Sequence, residues 1–195
     1  MSLKTKPSIL SIIPYKLGLS KANGNAPIIK LTSNESPLGA SPKAIESYVQ
    51  AAMALNRYPD GGATILREAI GEIYGLNPNK IICGAGSDEI ISMLCHAYAS
   101  EGDEVLYTEY GFLMYPIYTK IAGATPVTAP EKNLCADIDN LLAAVTSKTK
   151  IVFIANPNNP TGSYVPKAEL LRLRKGLPEN ILLVIDGAYA EYVSM

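Results

Sequence analysis

The sequence predicts an α/β fold: a largely parallel sheet sandwiched by helices, preceded by an irregular N-terminal arm. Three observations carry this expectation. Short apolar runs alternate along the chain with longer segments of helical character. The apolar runs are continuous rather than alternating, the pattern of strands buried on both faces of a parallel sheet. Polar stretches rich in Gly, Asn and Asp follow the apolar runs, where ligands bind in such sheets, beyond the carboxyl ends of the strands.

The elements follow in order. Residues 1–30 are rich in Pro, Gly, Asn and Lys and read as the arm. Ser41-Pro42 opens a helix, with Ser as N-cap and Pro in the first turn, and the helix runs to about residue 55. A second helix spans 64–74 and stops at Gly75. A short strand is expected at 80–83, then GAGSDE, then a helix over 88–99. Strands at 104–107 and 125–128 bracket a helix over 113–122. Asp137 caps a helix to residue 145, a strand covers 150–155, a helix 167–175, and a very apolar strand 181–185. The expected organisation is an arm over 1–30 and one domain over 31–195.

Composition narrows the function classes. With 48 % hydrophobic and 18 % charged residues, the 195-residue chain can bury a core. A net charge of −1 with scattered basic residues gives no footprint for nucleic acid or an anionic membrane. Cys83, Cys95 and Cys135 lack metal-ligand spacing and read as reduced thiols. His96 is the single histidine and lies in an apolar stretch, so it reads as packing rather than as a zinc ligand or a triad base. MSLKTKPSILSIIPYKLG has only a short apolar run broken by Pro14, so a soluble cytoplasmic protein is expected.

Four strand ends carry the chemistry. GAGSDE (84–89) sets two glycines and a serine before a helix, where backbone N–H groups and the helix dipole favour an anion. The same residues also read as an ordinary strand-to-helix turn. They lack the third glycine of a dinucleotide fingerprint and the G-K-[ST] of a P-loop, which argues against a nucleotide-binding domain. Asp186 ends ILLVID; a carboxylate there needs a partner such as a cationic ring nitrogen, or it caps the next helix. Tyr110 and Tyr189 offer an aromatic face and a phenol at two further strand ends, or simply pack. NPNNPTG (156–162) supplies a carboxamide between prolines, which fix φ and remove competing donors; Asn-Pro is also a plausible cis site. Phosphate, cationic ring nitrogen, ring oxygen and flat face together describe pyridoxal phosphate.

In combination, NESPLG (34–39), RYPD (57–60), GAGSDE, NPNNPTG and DGAY (186–189) resemble the fold type I, class I/II aminotransferases. The resemblance runs from about Leu31 to Tyr189. It implies that Ala85, Gly86 and Ser87 bind the cofactor phosphate, and that Tyr110 stacks on the pyridine ring. Asn159 and Tyr189 would bond the 3′-oxygen, Asp186 would pair with the ring nitrogen, and Tyr58 would reach the phosphate of a neighbouring subunit in a homodimer. The arm Ile13-Pro14-Tyr15-Lys16-Leu17-Gly18-Leu19-Ser20 is similar to the branch of the family that works on histidinol phosphate, with Leu17-Gly18-Leu19-Ser20 in place of its usual Pro-Gly-Lys-Ser. That likeness implies Tyr15 and Asn34 on the substrate side, and histidinol phosphate with 2-oxoglutarate and glutamate as substrates and products. Aromatic and aspartate types share most of these motifs, and a non-catalytic cofactor-binding remnant would share them all.

The family's Schiff-base lysine lies downstream of D-x-A-Y, and no lysine here matches it, since Lys167 and Lys175 precede Asp186. The reading is therefore of an N-terminal part of the large domain, inactive alone, with later strands and the small domain absent. Apolar strand edges are expected to be left unpaired.

Overall fold

The computed structural model describes residues 4–15 and 33–193; residues 16–20 of the arm motif lie outside the described residues. In chain order the elements are α1 (Pro7–Leu10), α2 (Pro42–Ala52), α3 (Thr64–Tyr74), α4 (Gly86–Tyr98), β1 (Glu104–Thr108), α5 (Met114–Ala122), β2 (Thr125–Ala129), α6 (Ile138–Ala143), β3 (Thr149–Ala155), α7 (Lys167–Gly176) and β4 (Leu182–Asp186). Packing gathers them into two compact units, 84–193 with 4–13, and 14–83.

In the larger unit four strands form one parallel sheet in the order β2-β1-β3-β4. Alternate residues of its central strands feed two cores, because successive side chains of a strand point to opposite faces. Val105, Tyr107, Ile151 and Phe153 pack with Ile91 and Cys95 of α4 and Tyr115 of α5. Leu106, Val152 and Ile154 pack with Ile138 and Leu141 of α6 and Leu173 of α7. The result is the helix–sheet–helix sandwich that continuous apolar strands imply. Within it, Lys120 Nζ donates to the Ser11 carbonyl at 2.9 Å, tying the segment after α1 to α5.

β4 pairs with β3 on one side and has no strand on its other side among the described residues. That edge is apolar, and a cavity of about 800 Å³ runs along β4 and α7, lined by Leu170, Leu171, Leu182 and Ile185 with Lys150 and Arg174. The strand expected at 80–83 does not form. Pro78–Lys80 is a 3-10 turn, and Ile81 continues extended at φ −110° and ψ 132°. A strand is stabilised by its ladder and by packing on its neighbours; the propensity of Ile-Ile-Cys does not replace them. No ladder reaches these residues among the described ones, and Ile82 is exposed.

In the smaller unit, α3 ends at Gly75, whose φ of 65° turns the chain out of the helix. Arg67 donates through Nε and Nη2 to the Pro78 carbonyl at 2.9 and 2.7 Å, fixing the turn after the helix. Before the helix, Asp60 accepts from the Gly62 and Thr64 amides at 2.9 and 2.8 Å. The Thr64 amide first, then the Thr64 hydroxyl and the Gly62 amide, hold the Asp60 carboxyl below its ordinary value. A lowered carboxyl stabilises the fold above its unfolded-state pKa, and that support is lost as pH falls through the folded pKa. Asp60→Asn is therefore expected to loosen the start of α3 at neutral pH and to remove part of its acid sensitivity. Amide hydrogen exchange at residues 62–67 across pH 3–7 (about the carboxyl range) checks this; an unchanged acid profile counts against it.

The three thiols are free. Cys95 is fully buried, and burial pushes its thiol up to about 11. A thiol reagent at about pH 8 is expected to modify the part-exposed Cys83 and Cys135 first, and Cys95 only at the rate of unfolding. Mass mapping of the labelled residues decides. Among the described residues no cluster of three metal-ligating side chains occurs, and no helix is long and apolar enough to cross a membrane.

Candidate active site

Because the strands are parallel, their carboxyl ends lie on one side of the sheet, with Thr108 beside Ala129 and Ala155 beside Asp186. Hydrogen bonds join the segments that follow. The Tyr110 amide donates to Glu131 Oε1 at 3.2 Å, and the Tyr110 carbonyl accepts from Asn158 Nδ2 at 3.0 Å. The Asn156 amide donates to the Asp186 carbonyl at 2.9 Å. All four strand ends are thus linked in one connected loop cluster.

The three asparagines of NPNNPTG have different positions. Asn156 is buried; its Nδ2 donates to the Val165 carbonyl at 3.0 Å and its Oδ1 accepts from the Val165 amide at 2.8 Å. A side chain here closes the loop as a strand partner would. Asn158, also buried, donates to the Tyr110 carbonyl and to Thr161 Oγ1, and its backbone pairs with Ser163 and Gly162. Asn159 is half-buried beside them. Both Asn-Pro bonds, at 156–157 and 159–160, are cis. The asparagine density therefore has two sources: Asn156 and Asn158 build the loop, and Asn159 is the least buried of the three.

Asp186 is half-buried at the end of β4. Its Oδ1 accepts from the Ala188 amide at 3.2 Å, and its Oδ2 accepts from the hydroxyl of Tyr115 at 2.8 Å. Burial raises the carboxyl of Asp88, and the negative charge of Asp186 raises it further. Asp88 Oδ1 is buried with no hydrogen-bond partner among the described residues. A buried carboxylate oxygen without a partner, near a second carboxylate, makes a place where a cation is welcome.

At the start of α4, Gly86 turns the chain with φ +75°, and a side chain placed there would meet nothing within 4 Å. The Ala85 amide donates to Glu89 Oε2 at 2.6 Å and the Gly86 amide to the Gly84 carbonyl at 2.9 Å. Of Ala85, Gly86 and Ser87, only Ser87 keeps its amide for an external anion, joined by the Asp88 amide, since first-turn amides have no intrahelical acceptor. Asp88 was not singled out in the sequence.

Tyr110 is 45 % exposed and Tyr189 is half-buried, with its ring 6.3 Å from that of Tyr192. Tyr15, Asn34 and Tyr58 belong to the smaller unit and are exposed, Tyr58 almost completely. The structure thus brings together Ser87, Tyr110, Asn159, Asp186 and Tyr189 within one unit. It adds Tyr115, a tyrosine among twelve that no motif marks.

A helix amino terminus, a carboxylate oriented by two donors and a half-buried amide lie within one unit built on a parallel sheet. The sequence model of the aminotransferase class I and II family matches residues 26–195, and the chain belongs to that family. It is similar to the histidinol-phosphate aminotransferase of Paramagnetospirillum magneticum, 59 % identical over 97 % of this chain and 52 % of that protein. The histidinol-phosphate aminotransferase of Rhodospirillum rubrum is 56 % identical over 96 % of this chain and 51 % of its own length. Among solved structures, the histidinol-phosphate aminotransferase from Sinorhizobium meliloti in complex with pyridoxal-5′-phosphate superposes with a TM-score of 0.85 at 26 % identity, over all of this chain and 53 % of that one. The chain spans about half the length of the curated relatives it matches.

Proposed function

We propose that this chain supplies the cofactor-binding part of a pyridoxal-phosphate-dependent aminotransferase. The reaction moves an amino group from histidinol phosphate to 2-oxoglutarate, giving imidazole-acetol phosphate and glutamate in histidine biosynthesis. The observation that carries this reading is the Asp186 carboxylate, held by two donors at the end of β4 and beside the raised carboxyl of Asp88.

The residues fit the cofactor. Asp186 would hold the ring nitrogen, Tyr110 would cover a ring face, and Asn159 and Tyr189 would bond the ring oxygen. Ser87 and the first amides of α4 take the phosphate, with Ala85 and Gly86 shaping the turn. Pyridoxal phosphate supplies the electron sink of the reaction. The protein's own part is to keep the ring nitrogen charged, fix the ring plane and anchor the phosphate. The family resemblance assigns Tyr15 and Asn34 to the substrate, and Tyr58 to the phosphate of a neighbouring subunit in a homodimer. A reducing, cytoplasmic location completes this reading.

Within these 195 residues no lysine follows Lys175. The chain is expected to bind pyridoxal phosphate reversibly. Fluorescence titration tests the proposal. Asp186→Ala should weaken binding by about tenfold or more, the worth of a hydrogen bond to a charged group. Failure to bind pyridoxal phosphate, or nucleotide binding indifferent to Asp186, contradicts it.

A further inference from the structure

Tyr115 is 1 % exposed, inside the core between the sheet and α5. Its ring stacks on Phe153 at 4.7 Å and 7°, and meets the edge of Phe112 at 5.8 Å and 84°. These contacts leave the ring one orientation. Its hydroxyl would be costly to bury without a partner, and it spends its proton on Asp186 Oδ2 at 2.8 Å. Burial first, and the Asp186 charge second, push the Tyr115 phenol well above its ordinary value, so it remains a donor. The Ala188 amide holds the other oxygen. A carboxylate has about four acceptor sites; two are taken, and their directions set where the others point.

We infer that Tyr115 is a positioning residue for the cofactor: anchored on Phe153, its hydroxyl fixes the plane of the Asp186 carboxylate so that a remaining lone pair meets the ring nitrogen. The inference rests on the proposed function. Tyr115 touches neither cofactor nor substrate and acts only through Asp186.

Tyr115→Phe tests it, because the ring stays in its stack and only the hydroxyl is lost. Dissociation constants are measured for pyridoxal phosphate and for its analogue with carbon in place of the ring nitrogen. The expected result is an affinity loss of about fivefold to tenfold for pyridoxal phosphate, in the range of one charge-assisted bond, with the analogue unchanged. A purely structural role would weaken both equally, and that result, or no change in either, overturns the inference while leaving the proposed function intact. The double variant Asp186→Ala/Tyr115→Phe removes both partners and leaves neither unpaired. It should bind pyridoxal phosphate no more weakly than Asp186→Ala alone, and a further loss in the double variant also overturns the inference. If the unaltered chain binds neither compound, the proposed function fails and the inference falls with it.

Discussion

Asn156→Ala is expected to destabilise the larger unit by about 2–6 kcal/mol. The size follows from what is left behind. The Asn156 carboxamide makes two buried bonds, both to the backbone of Val165, which is itself 4 % exposed. Alanine leaves a buried N–H and a buried C=O without partners, each costing about 1–3 kcal/mol. Urea denaturation, read as a shift in midpoint at unchanged slope, measures it. Asn159→Ala provides the contrast. Asn159 is only half-buried, so its loss should leave the midpoint nearly unchanged and, under the proposed function, weaken pyridoxal phosphate binding. A reversed pattern, with Asn159 the costly one, would mean the two amides have been given the wrong roles.

Phe153→Ala is expected to cost about 3–5 kcal/mol, the usual range for emptying a buried aromatic site. Phe153 is fully buried on β3, a strand with neighbours on both sides, and faces Tyr115 across a stack of 4.7 Å. The cavity cannot close easily because the ladder holds β3 in place. Phe153→Leu fills most of the volume and should cost clearly less. The two variants also separate packing from positioning. Alanine frees the Tyr115 ring, so pyridoxal phosphate affinity should fall together with stability; leucine should spare most of both. Thermal unfolding and a binding titration on the same samples give the comparison.

Most of the sheet was legible in the sequence because its strands are short apolar runs with helices between them. Four of five expected strands and all six expected helices formed, with boundaries shifted by one to three residues in most cases. The failure at 80–83 has a physical cause. A strand is a relation between two segments, and Ile81-Ile82-Cys83 have no neighbouring strand among the described residues. Helix starts were clearer where a side chain caps them, as Asp137 does by accepting from the Asn140 amide at 2.8 Å.

The site was legible to the extent that its residues belong to local motifs. Asp186, Asn159, Tyr110 and Tyr189 end or follow strands of the parallel sheet, whose topology carries them to one side; Ser87 lies in the first turn of α4, after residues that form no strand. Tyr115 was not legible, since its hydroxyl meets a carboxylate 71 residues away in sequence. Nor was the division of labour among the asparagines, which depends on the return of the chain at Val165. Long-range bonds leave no local signature. The occupied amides of Ala85 and Gly86 are a further case: Glu89 reaches back to cap its own turn, so the amides left open lie one or two residues further along the helix than the motif suggests.

The most direct measurement is a crystal structure of this chain with pyridoxal phosphate bound. The expected result places the ring nitrogen within hydrogen-bond distance of Asp186, the ring against Tyr110, and the phosphate on the amides of Ser87 and Asp88. A cofactor bound elsewhere, or seated at the strand ends with its phosphate toward Asp186, would contradict the assignment of this site.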